Sequence, residues 1–268
     1  MSNELSWVPD GVNMELPSSA RIYDYLLGGG HNFEMDRTLA DRLLTVVPAR
    51  DMARLNRAFL GRSTQFLVDQ GIRQFLDLGS GVPTVGNVHE VAQAAAPDSR
   101  VVYVDIEPVA VAHSELLLQD NPNAAAIQAD LRDPEAILNH PETKRLLDFS
   151  RPVALLLVGV LQFIPDESDP WSVIQRYRAA LPAGSYLAFS AFTWDGNREA
   201  MTKAVEVFKH TQEPIHPRTR ADILRFAEGF DLVEPGLVYT PRWRPETEAV
   251  HLEDVRHSNL LAAVGRKV

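Results

Sequence analysis

The sequence predicts an α/β protein: a doubly wound, mainly parallel sheet of seven strands with a helical N-terminal lid. Three observations carry this. From Gln74 onward, short apolar segments alternate with helical patterns, the signature of a parallel sheet covered on both faces. The first apolar segment, Gln74-Phe-Leu-Asp-Leu78, runs through the turn Gly79-Ser80-Gly81 into a helical pattern, which reads as buried strand, tight turn and helix start. Before it, the chain holds three helical patterns and no strand. Residues 1–71 are therefore expected to form a cap or lid and residues 72–268 the sheet-bearing core.

Residues 1–17 are polar and irregular and read as a tail or strap. Ser18 and Ser19 are placed to cap a short helix over 20–27, which Gly28-Gly29-Gly30 ends because glycine adopts the left-handed geometry of a helix terminus. A second helix is expected over 36–47, with Leu39, Leu43 and Leu44 on one face and Pro48 beyond it. A third, over 49–70, carries Met52, Leu55, Phe59, Phe66 and Leu67 at helical spacing. Strands follow at 74–78, 100–105, 125–128, 152–158 and 185–191, separated by helices near 85–96, 108–119, 134–148 and 169–181. The fourth strand is the most apolar and hence central. Helices near 197–209 and 220–228, the latter capped by Thr219, precede strands over 231–239 and 259–266. No helical period separates those last two, so they read as an antiparallel pair closing one edge.

A chain of 268 residues with 45% hydrophobic content suits one large α/β domain with an appendage. A net charge of −10 argues against a broad nucleic-acid surface. No apolar run is long enough to cross a bilayer and the N-terminus lacks a signal-peptide pattern, so a cytoplasmic protein without a membrane partner is expected. The absence of Cys excludes a disulfide scaffold, thiolate metal sites and cysteine nucleophiles. The histidines show no metal spacing: His210 and His216 lie six apart across Pro214, while His251 and His257 are isolated. No metal is expected.

A doubly wound sheet binds its ligand beyond the carboxyl ends of the strands, where Asp77 and the turn 79–81 fall. Glycines at 79 and 81 admit a sharp turn and a close ligand, but Thr84 stands where a dinucleotide fingerprint wants Gly or Ala. A carboxylate roughly 5 Å from a phosphate costs on the order of 3 kcal/mol at an effective dielectric near 20. A cationic ligand gains instead, which favours S-adenosylmethionine, with its ammonium and sulfonium, over a nicotinamide dinucleotide. Asp77 read alone serves equally well as a turn cap. Asp105, however, ends the second strand 24 residues beyond Gly81, the spacing for a carboxylate that accepts ribose hydroxyls. Asp130, with Leu131, ends the third, where the carboxylate or its flanking backbone can meet an adenine amino group. Three consecutive strands ending in Asp on one side of a sheet form a constellation that solvation alone does not require.

Five parallel strands followed by an antiparallel pair resembles the seven-stranded class I methyltransferase fold, a Rossmann-like architecture. The segments Ser18 to Asp36, Phe75 to Thr84, Val101 to Pro108, Gln128 to Pro134, Leu156 to Asp166 and Pro235 to Val238 resemble a bacterial, largely actinomycete family of S-adenosylmethionine-dependent methyltransferases. The resemblance spans nearly the whole chain. It implies an enzyme that binds S-adenosylmethionine through Asp77, Gly79, Ser80, Gly81, Thr84, Asp105, Ile106, Asp130 and Leu131, and releases S-adenosylhomocysteine. The family pattern commonly carries a His after the Leu that ends the fourth strand and another after the Ser of the fifth. This chain has Gln162 and Ala191 there.

Methyl transfer is an in-line displacement at an already activated carbon, so alignment and exclusion of water supply much of the rate. Where a base is needed, His31, Tyr23 and Asp24 are candidates if the N-terminal helices fold over the strand ends. The alternatives are a core role for the Tyr23 ring and a turn-capping role for His31. Arg57 is suited to clamp the cofactor's carboxylate, with a surface salt bridge as the alternative. Gln162, Phe163, Phe192 and Trp194 follow the fourth and fifth strands and are expected to face a small-molecule acceptor. Two other readings stay open at this stage: a non-catalytic protein that binds S-adenosylmethionine or S-adenosylhomocysteine, and a nicotinamide-dependent oxidoreductase.

Overall fold

Five largely aliphatic segments, all but the edge one buried along nearly their whole length, form the parallel part of the sheet in the computed structural model, which describes residues 8–9, 12–209, 211–245, 255 and 258–268. His210, His251 and His257 and most of the N-terminal tail through Gly11 lie outside the described residues. The segments are β1 (Gln74–Leu78), β2 (Arg100–Asp105), β3 (Ala124–Gln128), β4 (Ala154–Val158) and β5 (Tyr186–Phe192). They lie side by side in the order β3, β2, β1, β4, β5. β4 is thus central, as its composition requires.

Two expected elements differ. The strand expected over 231–239 is broken into β6 (Asp231–Leu232) and β7 (Val238–Tyr239), each paired antiparallel with β8 (Leu260–Arg266). Pro235 has no N–H for a ladder, and Gly236, at φ 77°, donates back to the Val233 carbonyl, so a turn interrupts the strand and the sheet has eight strands rather than seven. β8 runs antiparallel to β5, from Leu260 opposite Phe192 to Arg266 opposite Tyr186. The helix expected over 134–148 is two, Pro134–Asn139 and Pro141–Leu146, because Pro141 holds His140 at ψ 139°, outside the helical region.

The remaining helices fall within a few residues of their expected ends. α1 (Ser19–Leu26), α2 (Glu34–Leu44) and α3 (Ala49–Asp69) precede the sheet. α4 (Val88–Ala95), α5 (Pro108–Leu118), the split pair α6 and α7, and α8 (Pro170–Ala180) cross between strands. α9 (Arg198–Phe208) and α10 (Arg220–Leu224) follow, and Thr219 caps α10 by accepting from the Asp222 N–H.

Strand alternation sorts the core into two layers. Leu76 and Leu78 of β1 join Ile137, Tyr177 and Phe226 on one face. Phe75 joins Phe59, Leu67 and Trp243 on the other, which places Asp77, two residues on, beneath α3. α3 serves two clusters: Phe59 and Leu67 pack on the sheet, while Ala49, Met52 and Ala53 join Ile22, Leu43, Met201 and Phe208 in a third. The N-terminal helices and α9 therefore share one apolar body above the strand ends.

Charge, as well as apolar contact, locks that body in place. Arg21 is 2% exposed and Asp36 is fully buried; their side chains meet at 2.8 Å through Nε and Oδ2. The guanidinium also donates to Glu107 Oε1 at 2.9 Å and to the Leu16 carbonyl at 2.6 Å, and lies 4.8 Å over the Phe33 ring. Asp36 accepts the backbone N–H groups of Ser18 and Phe33 as well. The expected Ser18 side-chain cap is not made: Asp36 takes the backbone there instead. Removing one partner of a buried ion pair costs about 3–5 kcal/mol because the other charge stays desolvated. Arg21→Met should lower stability by roughly that amount in urea unfolding, and adding Asp36→Leu should recover part of the loss. A single-variant loss below about 1 kcal/mol would mean that the network is only as weak as a surface pair.

Candidate active site

The chain runs from β1 to β2 and β3 on one side of the sheet and returns to β4 on the other, so a crevice opens between the carboxyl ends of β1 and β4. The turn after β1 shapes it. Gly79 has φ +71°, and a Cβ there would lie 2.3 Å from Val160 Cγ2, so glycine alone lets the exits of β1 and β4 approach this closely. The N–H groups of Gly79 and Ser80 both donate to the Val104 carbonyl, tying the turn to β2. Gly81, at φ +68°, differs: a Cβ there would meet nothing within 4 Å. Its exposed face borders the cavity.

That cavity encloses about 1390 Å³ with its solvent mouth included. It brings together Asp77 of β1 with Gly79, Ser80 and Gly81 of the turn after it, Asp105 and Ile106 at the end of β2, and Asp130 and Leu131 just beyond β3. Arg57 and Tyr23 reach it from α3 and α1, and Gln162, Phe163 and Phe192 from the loops beyond β4 and β5. Thr84, Asp24, His31 and Trp194 are not among its lining residues.

The three strand-end acids have different surroundings. Burial pushes Asp77 up to about 7, opposed by Arg57 and reinforced by Asp105. Burial likewise raises Asp105 to about 6, against the backbone N–H groups of Glu107 and Gly81 that its two oxygens accept at 2.9 and 2.7 Å. Asp130 is only partly buried. Burial alone would raise it, but a fork of hydrogen bonds from Arg132 outweighs that and holds it below the usual carboxylate range.

Arg57 makes no carboxylate pair among the described residues. Its Nη2 donates to Asn87 Oδ1 at 2.8 Å, while its Nε is buried with no hydrogen-bond partner. Thr84 donates its N–H to the same Asn87 oxygen, and its hydroxyl is also buried without a partner. Two uncommitted donors thus flank one asparagine. Asp24 is absorbed by the fold: it accepts the His31 N–H and Asn32 Nδ2, each at 2.8 Å, and occupies the space where Gly29 would carry a Cβ. The His31 ring lies tilted by 42° against that of His113, with centroids 3.8 Å apart. Tyr23 donates to the Ala53 carbonyl and accepts from Asn56, and burial raises its phenol above the usual value.

Three contributors escaped sequence reasoning. Asn56 sits on the apolar stripe of α3, bonded to Ser190 Oγ at 2.6 Å and lying 2.6 Å from where Gly159 would carry a Cβ. A polar residue between Met52 and Phe59 on that stripe was its available signal. Glu213, on the rim, accepts the Ser19 N–H. Arg218 is 4% exposed and binds Asp166 and the carbonyls of Leu161 and Ile164, fixing the turn that carries Gln162. Neither Glu213 nor Arg218 has a periodic or motif signal in the sequence.

Among the described residues no group of three or more potential ligands is arranged to hold a metal ion, and no helix is long and apolar enough to cross a membrane. Residues 6–268 match the model of a family described as S-adenosyl methyltransferase. A crystal structure from Thermobifida fusca YX, provisionally designated a methyltransferase, is 44% identical, with 98% of this chain and 99% of that one covered and a TM-score of 0.92. A DUF574 family protein from Streptomyces avermitilis is 38% identical over 95% of this chain and 99% of that one, with a TM-score of 0.90. Magnesium protoporphyrin IX methyltransferase from Synechocystis PCC 6803, solved with bound S-adenosylhomocysteine, shares the fold at 16% identity and a TM-score of 0.55, with 92% and 93% covered. No curated protein sequence matches the chain.

The two buried acids leave a signature in stability. Both bind a proton more tightly in the folded chain than in the unfolded one, so their contribution is complete at low pH and is lost as pH rises from about 4 through about 7. Each proton released across that window costs on the order of 1.4 kcal/mol per pH unit. Denaturation of Asp77→Asn, compared with the parent from pH 4 to 8, should show a gentler fall over that window. Parallel curves would place Asp77 in water.

Proposed function

The chain belongs to the S-adenosyl methyltransferase family and is an S-adenosylmethionine-dependent methyltransferase; from that premise we propose that it methylates a small-molecule acceptor held beside the cofactor in the cavity between β1 and β4. The observation that carries this is the convergence of the glycine turn and the three strand-end aspartates on one cavity. When bound, the cofactor supplies a methyl group activated by its sulfonium. The chain's own residues bind, orient and exclude water.

In this reading Asp105 receives the ribose hydroxyls. Two of its lone-pair positions are taken by Gly81 and Glu107, which leaves others directed at a ligand and holds the carboxylate still. Gly79, Ser80 and Gly81 admit the ligand to the backbone, and Asp77 faces its ammonium. Burial that raises Asp77 favours such a partner, since a cation returns the carboxylate to its ionised form. The buried Nε of Arg57 supplies a donor for the cofactor's carboxylate, while Thr84, outside the lining, steadies Arg57 through the Asn87 oxygen that both bond. Ile106 offers an apolar face to the adenine. Because the Asp130 carboxylate is committed to Arg132, the backbone around Asp130 and Leu131 is the better partner for the adenine amino group.

Residues 1–71 act as a cap over the strand ends and residues 72–268 as the methyltransferase core. Gln162, Phe163 and Phe192 line the acceptor side. Tyr23 has its hydroxyl committed, and Asp24 and His31 stand outside the cavity lining, so no dedicated base is assigned and the rate rests on alignment and desolvation.

Calorimetric titration with S-adenosylmethionine, S-adenosylhomocysteine and NAD tests the reading. Saturable one-site binding of the first two and none of NAD is expected. Asp105→Ala should weaken S-adenosylmethionine by about 2 kcal/mol, roughly 30-fold, with the fold intact. Unchanged affinity in that variant would remove Asp105 from the ribose site.

A further inference from the structure

The cavity is divided by polarity. Arg57, Asp77, Asp105 and Asp130 lie along α3 and the ends of β1 to β3, and Glu213 adds its field to that of Asp105. Beyond β4 and β5 the lining is supplied by the apolar body above the sheet, including Leu26, Leu43 and Met52 from the N-terminal helices and Met201 and Phe208 from α9. The polar groups at this end are mostly satisfied. Tyr23, Asn56 and Ser190 bond to one another or to the backbone.

Gln162 is the exception. It is 3% exposed, its Nε2 donates to the Gly159 carbonyl at 2.6 Å, and its Oε1 is buried with no hydrogen-bond partner. A carbonyl faces the amide at Gly159, so the NH₂ end must point there and the oxygen must be the end left over. The backbone that carries this side chain is pinned. His216 donates to its backbone carbonyl at 2.7 Å, and Arg218 holds the carbonyls of Leu161 and Ile164 on either side. A buried acceptor without a donor costs about 1–3 kcal/mol, so a ligand that brings a donor recovers that energy on binding.

We propose that the apolar half of the cavity takes an uncharged, largely aromatic or hydrocarbon acceptor carrying an O–H or N–H donor, and that Gln162 Oε1 receives that donor. This rests on the cofactor assignment above and adds the class of acceptor. Gln162 acts as a specificity and positioning residue. Its neutral amide has no useful basicity and does not take the proton, which leaves to solvent through the open mouth of the cavity as the new bond to the methyl group forms and the bond from that carbon to sulfur breaks. An anionic acceptor is disfavoured twice, by an apolar wall with no cation on it and by the acids at the other end of the cavity.

The experiment titrates the protein, saturated with S-adenosylhomocysteine, with 2-naphthol, 2-methoxynaphthalene and 2-naphthoate at pH 7.5. The expected result is binding of 2-naphthol at least about tenfold tighter than its methyl ether, with no binding of the carboxylate. In Gln162→Met the preference for naphthol over the ether should fall to about twofold or less. A preference that survives Gln162→Met, or naphthoate binding equal to that of naphthol, would overturn the proposal. Ala204→Phe, which fills the chamber from α9, should abolish naphthol binding while S-adenosylhomocysteine still titrates. That variant decides the placement even if Gln162→Met fails to fold. If wild-type protein binds S-adenosylhomocysteine but no naphthol, the acceptor class is wrong and the cofactor reading stands. If it binds no S-adenosylhomocysteine, the cofactor reading fails and this proposal fails with it.

Discussion

The buried guanidinium of Arg21 is the contact on which the site's geometry depends. It reaches Asp36 on α2 and Glu107 at the start of α5. Glu107 in turn caps α5 through the Val109 N–H, and its own N–H donates to Asp105. Asp105 then accepts Gly81 of the glycine turn. A continuous set of hydrogen bonds thus runs from the N-terminal helices to the turn that shapes the crevice. The two carboxylates compensate a charge that burial would otherwise make very costly, and every link has a defined direction. The position of the cap and the attitude of Asp105 are consequently not independent.

The sheet imposes the second constraint. Period-two alternation sends Phe75 and Asp77 to the face covered by α3, while Leu76 and Leu78 meet the opposite layer. An acid on a buried face is expensive, and α3 answers it with Arg57 nearby rather than in direct contact. The compensation is partial, which is why Asp77 remains raised. Compensation is partial on both sides, a carboxylate short of cations and an arginine Nε short of acceptors, and in the proposed reading the zwitterionic amino-acid portion of the cofactor completes both.

Much of this was legible in the sequence because the signals were local. The five parallel strands, the tight glycine turn after the first and the placing of Asp105 at the end of the second follow from short apolar runs and turn residues, whereas the contact of Asp105 with Gly81 was not foreseen. The failures have local physical reasons too. Pro235 and Gly236 divide what reads as one strand, and Pro141 divides one helix. The segment from Ser18 to Asp36 invited a catalytic reading of Asp24 and His31 because its polar residues and glycines look like a site. Instead Asp24 closes the glycine bend and Asp36 closes the helix junction, so most of that polarity is spent on holding the chain together. Asn56, Glu213 and Arg218 reach the site across 134, 194 and more than 50 residues of sequence separation, which no local pattern encodes.

Strand order explains why one cavity has two characters. β1 to β3 carry acids at or within two residues of their carboxyl ends and lie to one side of the crossover, while β4 and β5 end beneath the apolar cluster shared by α1, α2, α3 and α9. The border falls where Gly79 meets Val160 and Gly159 meets Asn56, two places in which a side chain in place of glycine would push the halves apart. Transfer of a methyl group from a sulfonium to a neutral acceptor disperses charge as it proceeds. Water, which solvates concentrated charge best, opposes that dispersal, and a dry wall on the acceptor side removes the opposition. In the proposed reading the acids serve the opposite need, to hold a cation before reaction. Keeping the two environments adjacent but unmixed requires a border narrow enough for the reacting atoms to span, and the pair of glycines at 79 and 159 makes it so.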